Sequence, residues 1–309
     1  MKSKQMYQSI KSLMLIVALY DSTEALASPI LGSDLASFTV LGASAVTNVP
    51  ISSIRGNVGV WSSGGANAIT GFNSSPGVAF SDPRVTGGSV HSGTMLAQSA
   101  QGQLTTARNN LSSLGRGTVL INPDLSVYLS LAPGVYTVAA GLTNLSGELT
   151  LDGGGNANAA WVFQMESTLI TSPNSVVSMI NTGTGTGAGL FWNVGSSATI
   201  DTNTTFLGNI LALTSISMNT TATDNCGRAL ADSGAVTLQQ NTLSRYCVGD
   251  IAGNNGLGGG LDVITTPNGT HVTFLPFQPI VTAEVPEPTT LALLGFGLAG
   301  LGLSRRRRI

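Results

Sequence analysis

The sequence predicts a mainly β fold, a β-solenoid in which successive turns of chain stack on one another, with one long helix alongside. A short run of small hydroxylated residues alternating with apolar ones starts at Ser197 and returns at Ser215 and again at Ala235, at a nearly constant spacing. Self-similarity at about 20 residues is typical of solenoids, in which each turn buries its apolar side chains against its neighbours. An antiparallel β-sandwich also has short strands, but it does not predict that equivalent residues recur in register.

One segment, residues 92–114, departs from the strand pattern. Its apolar residues are three and four positions apart, which is the spacing of an amphipathic helix, and Gly115 follows it. A helix of this length reaches roughly 34 Å, or about seven strand spacings in a sheet. We therefore expect it to lie along the side of the solenoid. The apolar stripe consists of Ala100, Leu104, Ala107, Leu111 and Leu114.

The N-terminal residues have the organisation of a secretory signal. Lys2, Lys4 and Lys11 flank the start of an apolar run over residues 13–20, and Ala25-Leu26-Ala27 forms an A-x-A cleavage pattern. The run is too short to span a bilayer on its own. We expect residues 1–27 to be removed on export.

The C-terminal residues resemble the PEP-CTERM sorting signal of bacterial surface and exopolysaccharide-associated proteins. Pro286, Glu287 and Pro288 precede an uncharged stretch over residues 289–304, and four arginines follow at 305–308. In that family the segment is recognised in the membrane and removed by an exosortase. The resemblance implies a sorting signal at 286–309 that contacts the membrane transiently. It also implies a location on the cell surface or in the extracellular matrix of a Gram-negative bacterium, with exopolysaccharide as a candidate partner.

Removal of both ends leaves an acidic chain, residues 28–285. It has six arginines, no lysine and twelve acidic residues, for a formal net charge of −6. A nucleic-acid surface needs clustered cations that displace counterions from phosphates, so nucleic acid is excluded as a partner. The whole sequence is 42% hydrophobic and 9% charged, whereas disordered chains combine low hydrophobicity with high charge. The chain is therefore expected to fold.

Catalytic and metal-binding patterns are not evident. The acidic residues are scattered singly, and His91 and His271 lie far apart in the sequence without an HxxH or CxxC pattern. We expect His91 to be a capping or packing residue and His271 to lie on a surface strand. The glycine-rich stretches at 62–67 and 182–189 lack a P-loop lysine and predict turns. The sequence therefore predicts no enzyme activity, no cofactor and no metal.

The two cysteines test the repeat length independently. The separation between Cys226 and Cys247 corresponds to about one turn of the solenoid. Residues one turn apart lie on adjacent strands about 4.8 Å from each other, which is within the range that a disulfide accepts. An exported protein permits the bond. The alternative is a pair of free buried thiols.

Several sequence blocks, in order, resemble the microbial ice-binding-like (DUF3494) family. They include "FTVLGASAVTNV", "IRGNVGV", "LTTARNNL", "LAPGVYTV", "GELTLDGGGNANAAWVFQMESTL", "FWNVGSSATI" and "FLGNILALTSISMNT". The resemblance extends from Leu31 to Leu243. It implies a discontinuous right-handed β-solenoid of triangular section with a long helix packed alongside, whose flattest face binds ice. A glycine-rich extension at about 249–285, with one more predicted strand pair, departs from the family pattern.

The repeated pattern places its two kinds of residue on opposite sides of a strand, because side chains alternate with a period of two. The positions expected to point inward are Ala198, Ile200, Ile216, Met218, Val236 and Leu238. The outward set, which is the candidate ice-binding face, is Thr168, Ile170, Ser197, Thr199, Ser215, Ser217, Ala235 and Thr237. Such uncharged side chains would repeat at about 4.8 Å across strands and about 6.7 Å along them, close to the spacing of ice.

Two functions of different class are compatible with this pattern. The first is an exported ice-binding protein that stops crystal growth through the Ser/Thr face, to which Thr70, in a T-G-x-N pattern, is a weaker candidate contributor. The second is a structural or adhesive matrix protein with the same fold and no ice activity, since Ser and Thr also suit any exposed strand. The interruptions at Ile170 and Ala235 favour the second.

Overall fold

Twenty-six strands and one α-helix form a mainly β structure in the computed structural model, which describes residues 26–62, 68–73, 77–138, 141–185, 187–267 and 269–280. In chain order the strands are β1 (Leu26–Pro29), β2 (Phe38–Gly42), β3 (Ala45–Asn48), β4 (Ser53–Arg55), β5 (Asn57–Val60), β6 (Ala68–Thr70), β7 (Gly77–Ala79), β8 (Val85–Thr86), β9 (Val90–Ser92), β10 (Thr118–Leu120), β11 (Ser130–Leu131), β12 (Gly134–Val138), β13 (Leu142–Leu145), β14 (Glu148–Asp152), β15 (Ala160–Met165), β16 (Thr168–Thr171), β17 (Val176–Ile180), β18 (Gly189–Val194), β19 (Ala198–Ile200), β20 (Thr205–Ala212), β21 (Ile216–Met218), β22 (Thr223–Ala231), β23 (Val236–Leu238), β24 (Thr242–Ser244), β25 (Leu261–Thr266) and β26 (Gly269–Phe274). The predicted sorting signal at 286–309 and all but Leu26 and Ala27 of the predicted signal peptide lie outside these ranges.

Parallel pairing between strands distant in sequence organises the chain into three ladders. The seven-stranded sheet, here called the Ser/Thr ladder, has the order β13-β16-β19-β21-β23-β3-β6. The sixteen-stranded sheet contains two more ladders, which share the long strands β20 and β22. The helix-side ladder has the order β10-β12-β15-β18-β20-β22-β2-β5-β9, and the third ladder has the order β11-β14-β17-β20-β22-β24-β4-β8. Successive turns of chain therefore contribute one strand, or one end of a long strand, to each ladder.

The stacking order of these turns differs from their order in the sequence. The early strands β2, β3 and β4 pair with β22, β23 and β24, which come late in the chain. One further turn, from β5 to β8, extends the stack beyond them. The helix then connects this end to the opposite end, where β10 starts the remaining turns.

The helix, α1 (Met95–Ser113), runs alongside the helix-side ladder. The Thr94 hydroxyl accepts the Ala97 N–H at 3.2 Å and caps its first turn. The helix begins three residues later than predicted, because Ser92 is still part of β9. The buried apolar stripe of the helix packs on outward residues of the ladder and forms a hydrophobic core between the two. The residues of this core include Ala97, Ala100, Leu104, Ala107 and Leu111 of the helix and Phe38, Leu41, Val162, Phe191 and Leu211 of the ladder. Helical periodicity is thus sufficient to locate the element and its buried face.

The interior core lies between the three ladders. Four aromatic rings from successive turns follow one another there, with centroid separations of 5.6, 4.4 and 5.0 Å. The rings belong to Tyr136, Phe163, Trp192 and Phe206. Tyr136, Phe163 and Trp192 are opposite one another on β12, β15 and β18, and their stacked rings hold these turns in register. Phe206 of β20 is not opposite Trp192, and its ring is tilted against it.

The glycine-rich extension runs back along the outside of the stack. The Leu257 carbonyl accepts the Leu190 N–H at 2.9 Å and the Asn209 side-chain amide at 2.8 Å. Beyond it, β25 and β26 form an antiparallel hairpin, and β1 pairs antiparallel with β25. The predicted extra strand pair is confirmed. The predicted cleavage after Ala27 would leave Ser28 and Pro29 of β1.

A buried guanidinium ties this extension to the ladders. Arg228 of β22 is fully buried and donates to the Gly256 carbonyl at 3.0 Å and to the Ala36 carbonyl at 2.8 Å. Burial lowers the pKa of Arg228 to about 9, which still leaves the group charged at neutral pH. Because a charge buried without hydrogen bonds is very costly, these contacts fix the extension in place.

The two cysteines are joined in the structure. Cys226 and Cys247 form a disulfide, with their Cα atoms 4.6 Å apart. Cys226 is in β22 and Cys247 follows β24, its partner in the third ladder. The bond therefore links the stack to the start of the extension.

Candidate functional site

The outward side chains of the Ser/Thr ladder form a column of hydroxyl groups, here called the central column. In this column Ile170 is opposite Thr199, Thr199 is opposite Ser217, and Ser217 is opposite Thr237. The pairing continues to Thr47 and then Thr70. Five hydroxylated residues, Thr199, Ser217, Thr237, Thr47 and Thr70, thus occupy consecutive strands.

The alternate residues of these strands face the interior, as the period of two predicts. All six positions expected to point inward are at most 1% exposed. The backbone of the central strands is therefore anchored by a row of buried apolar side chains: Ala198, Ile200, Ile216, Met218, Val236 and Leu238. This packing fixes the Cα positions of the residues that carry hydroxyl groups on the outer side of the same strands.

A second outward column lies at the start of the same strands and serves partly to hold them together. The Ser197 hydroxyl accepts the backbone N–H of Ser215 at 3.3 Å, and the Ser215 hydroxyl accepts that of Ala235 at 3.2 Å. Thr168 precedes them in this column, and Ala45 and Ala68, which are paired with each other, lie at its other end. Two of the three serines predicted for the ice-binding face, Ser197 and Ser215, are therefore engaged in backbone contacts.

The hydroxyls of the central column have no such engagement. Among the described residues, those of Thr199, Ser217, Thr237 and Thr47 make no hydrogen bond to another part of the chain. They are partly exposed, and Thr70 is exposed. The hydroxyl groups of this column are therefore free to donate and accept hydrogen bonds on the solvent side of the sheet.

Carboxylates lie at the borders of the column: Asp124, which forms a parallel bridge to Asn144 beyond Ile170, and Asp201. Asp201 follows β19, and its Oδ1 accepts from the Asn219 side-chain amide at 2.8 Å. This hydrogen bond, with a second one from the Thr202 backbone, lowers the pKa of Asp201. The outward positions within the described strands of this ladder carry no ionisable group, so the electrostatic field above the column is weak.

Thr47 is a member of this face that the sequence analysis does not identify. Its strand lies far from the recognisable repeats in the sequence, and a search for neighbouring repeats does not reach it. A signal is nevertheless available, because Ala45-Val46-Thr47 has the same letters as Ala235-Val236-Thr237. Thr47 also pairs with Thr70, so Thr70 belongs to a strand of this column and not to a turn.

The third ladder also carries hydroxyl groups on its outer side. Thr205 is opposite Thr223, Thr223 is opposite Thr242, and Thr242 is opposite Ser53. Charged residues occupy outward positions of the same ladder at both ends: Glu148, Arg84 and Arg55. The helix-side ladder is covered by α1. The Ser/Thr ladder is thus the one that combines an open outer side with a low density of charge.

The remaining titratable candidates lie apart from this face. His91 is buried in β9 with its ring 5.5 Å from that of Phe38, and burial lowers its pKa. His271 is exposed on β26, so both predictions for the histidines are confirmed. Within the described ranges no group of three or more His, Cys, Asp or Glu side chains could hold a metal ion. No helix in that part of the chain is both long and apolar enough to cross a membrane.

The described residues form parallel ladders with one long helix packed beside them. This is the arrangement that the resemblance to the ice-binding-like family implies, and the open face of hydroxyl groups agrees with it. The chain belongs to the ice-binding-like family, whose family model matches residues 40–244. A PEP-CTERM protein-sorting motif matches residues 284–308.

Named relatives and solved structures agree with this membership. An ice-binding protein of Nostoc sp. (strain HG1) is 36% identical over all of this chain and 98% of its own length. The crystal structure of an ice-binding protein from an Antarctic biological consortium has a TM-score of 0.59 at 31% identity, covering 70% of this chain and 91% of that one. The DUF3494 domain of Shewanella frigidimarina ice-binding protein 1 has a TM-score of 0.61 at 26% identity, covering 70% and 97%.

Proposed function

We propose that this chain is an exported ice-binding protein that adsorbs to ice through the Ser/Thr ladder. The proposal includes a finer description of the fold: the three ladders form a discontinuous right-handed β-solenoid of triangular section. The named relatives, which are ice-binding proteins, support the activity. The observation that carries the choice of face is the central column of five hydroxylated residues on consecutive, register-matched strands.

Regular spacing is the property that an ice-binding surface requires. Parallel strands place equivalent side chains about 4.8 Å apart, and the second outward column lies about 6.7 Å away along the strand. Thr, with its stiff χ1, holds a methyl and a hydroxyl group in a fixed orientation. Water bound by such a column occupies repeating positions, and the bound layer can merge with the ice lattice.

The low charge of this face supports the same assignment. A fixed charge orients water around itself, and this order is incompatible with a lattice that extends over several strands. Asp201 lies at the edge of the face and is already hydrogen-bonded to Asn219. The predicted interruptions at Ile170 and Ala235 fall at the end of the central column and in the second column respectively, so five hydroxylated residues remain uninterrupted.

The assay of the unmodified exported chain tests the activity itself. We expect thermal hysteresis and inhibition of ice recrystallisation at micromolar concentration. A chain that is folded, as judged by cooperative unfolding, and has neither activity would overturn the proposal. The structural or adhesive matrix function would then be the better description.

Export and sorting follow from the two ends of the chain. The PEP-CTERM motif at residues 284–308 supports recognition by an exosortase, with a transient membrane contact through the apolar stretch. A disulfide in the structure is consistent with an oxidising location outside the cytoplasm.

A further inference from the structure

Three arginines are linked through Tyr246 and Asn255 beside the third ladder, although residues 28–285 have a net charge of −6. Arg55 ends β4, and its guanidinium lies 4.7 Å from the centroid of the Tyr246 ring. The guanidinium of Arg245 lies 4.3 Å from the same centroid. Arg245 and the buried Arg228 both donate to Asn255 Oδ1, at 2.9 and 3.1 Å.

The hydrogen-bond and ring partners of these three cations are neutral groups. The salt bridges among the described residues join Arg84 to Asp82 and Arg108 to Asp232, and neither involves the cluster. Asp224 lies near Arg228 but is fully buried, and burial raises its pKa well above the usual value. The cluster is therefore a local excess of positive charge in an acidic protein.

Structural roles account for two of the three arginines. Arg228 holds the extension, as described above, and Arg245 donates to the Tyr246 hydroxyl at 2.5 Å and to Asn255. Arg55 is different, because it is exposed and its guanidinium makes no hydrogen bond or salt bridge within the described chain. Its side-chain donors are free, and the Tyr246 ring holds it beside a second cation.

The surface next to this pair is open. Gly87 lies beside the Tyr246 ring, and a Cβ placed on it would be 3.6 Å from that ring. Thr86, opposite Arg55, is exposed. Arg55, Thr86 and Gly87 are all exposed, so the Arg55 guanidinium is accessible to a ligand from this side.

We propose that Arg55, Arg245 and Tyr246 form a binding site for the carboxylate groups of an acidic polysaccharide. Arginine recognises carboxylates through parallel N–H donors, and two guanidiniums from adjacent strands, both against the Tyr246 ring, suit a polymer with repeated acidic groups better than a single small anion. The site lies on the third ladder, so it is separate from the Ser/Thr ladder, and one molecule could bind the polymer and ice at the same time.

Binding to polygalacturonate, followed by calorimetry at low salt, tests the site. Arg55→Gln should weaken binding by about tenfold, which is about 1.4 kcal/mol, since it removes the charge-assisted hydrogen bonds to the carboxylate. Arg116→Gln is the matched control, because Arg116 is also exposed and lies at the other end of the stack, before β10. It should change affinity by less than about twofold, given the screening of distant charges. Thermal hysteresis should be unchanged in both variants.

Four outcomes would overturn the proposal. Absence of binding by the unmodified chain would do so, as would equal binding of neutral dextran. Equal weakening by Arg116→Gln would mean that only net charge matters. Competition by monomeric galacturonate at the same carboxylate concentration would indicate a site for small anions rather than for a polymer.

Discussion

At the scale of single residues, Ser215 and Ser217 lie two positions apart on the same outer side of one strand but have different surroundings. The Ser215 hydroxyl accepts the Ala235 N–H at 3.2 Å, whereas that of Ser217 has no partner among the described residues. Ser215→Ala should lower the free energy of unfolding by about 1 kcal/mol, because it leaves a half-buried amide unpaired. Ser217→Ala should change it by less than about 0.5 kcal/mol. Denaturant unfolding measures both, and equal losses would contradict the distinction.

Thr221 is a second position where a single side chain has a measurable consequence. It has a φ of 61°, in the left-handed region that β-branched residues seldom adopt. The corresponding corner residues of the neighbouring turns are Asn174 and Asn203 before it and Gln240 after it, with φ of 64°, 58° and 54°. Since Asn tolerates this conformation, Thr221→Asn should stabilise the protein by about 1 kcal/mol.

The reverse substitution is the control for this corner. Asn203→Thr should destabilise the protein by a similar amount, and it removes the side-chain hydrogen bond from Asn203 to Asn174. A lower melting temperature for Thr221→Asn would mean that the hydrogen bond from Thr221 to Asn203 outweighs the backbone strain.

Alternation within the repeats determines which residues of the candidate face can be predicted. Thr199, Ser217 and Thr237 are predictable from their own strands, because a period of two separates outward from buried positions without knowledge of the neighbours. The same alternation gives the outward direction of Thr47 but not its place in this column, because its neighbour on the face, Thr237, comes from a distant part of the chain. The backbone contacts of Ser197 and Ser215 are also unpredictable, since they depend on how the hydroxyls are oriented toward the next strand.

At the scale of elements, the length of a turn is less regular than the repeats suggest. The chain from Ile170 to its opposite residue Thr199 is clearly longer than the chain from Thr199 to Ser217, which is opposite Thr199 in turn. The difference comes from the connection between β17 (Val176–Ile180) and β18 (Gly189–Val194). The register survives because such insertions lie between strands, where they do not disturb the buried side chains. The repeat length thus predicts the stacking of strands but not the size of each turn.

The disulfide is the element-scale contact that can be tested chemically. Cys226 and Cys247 are the two cysteines of the chain. Titration of the denatured, unreduced protein with a thiol reagent should find no reactive thiol, and prior reduction should expose both. Reduction should also lower stability by about 3 kcal/mol, as expected for a closed loop of some 20 residues. Two reactive thiols before reduction would refute the bond.

At the scale of the whole molecule, the helix and the extension explain how an open-ended stack is completed. The helix covers one ladder and connects the two ends, and the extension lies along the stack and is tied to it by Arg228. The sequence predicts the helix because its periodicity is local. It does not predict that β2 follows β22 in the stack, since that pairing joins residues with no distinctive local pattern.

The distribution of charge separates the exposed outer surfaces. The third ladder carries Glu148 toward one end and Arg55 toward the other, whereas the Ser/Thr ladder has hydroxyls along its central column. This difference in charge is the reason to assign ice binding to the Ser/Thr ladder and the binding of an acidic polymer to the third ladder. It also supplies a matched pair of sites, because Thr237 and Thr242 belong to the same turn but to different ladders.

Thermal hysteresis of Thr237→Lys, measured beside Thr242→Lys, tests the central claim most directly. Both substitutions add one exposed cation to the same turn, and both should leave the free energy of unfolding within about 0.5 kcal/mol of the unmodified protein. Thr237→Lys should abolish hysteresis, because a long charged side chain disrupts the ordered water over several strands, whereas Thr242→Lys should retain it. Loss of hysteresis in Thr242→Lys with full activity in Thr237→Lys would contradict the account and place the ice-binding surface on the third ladder.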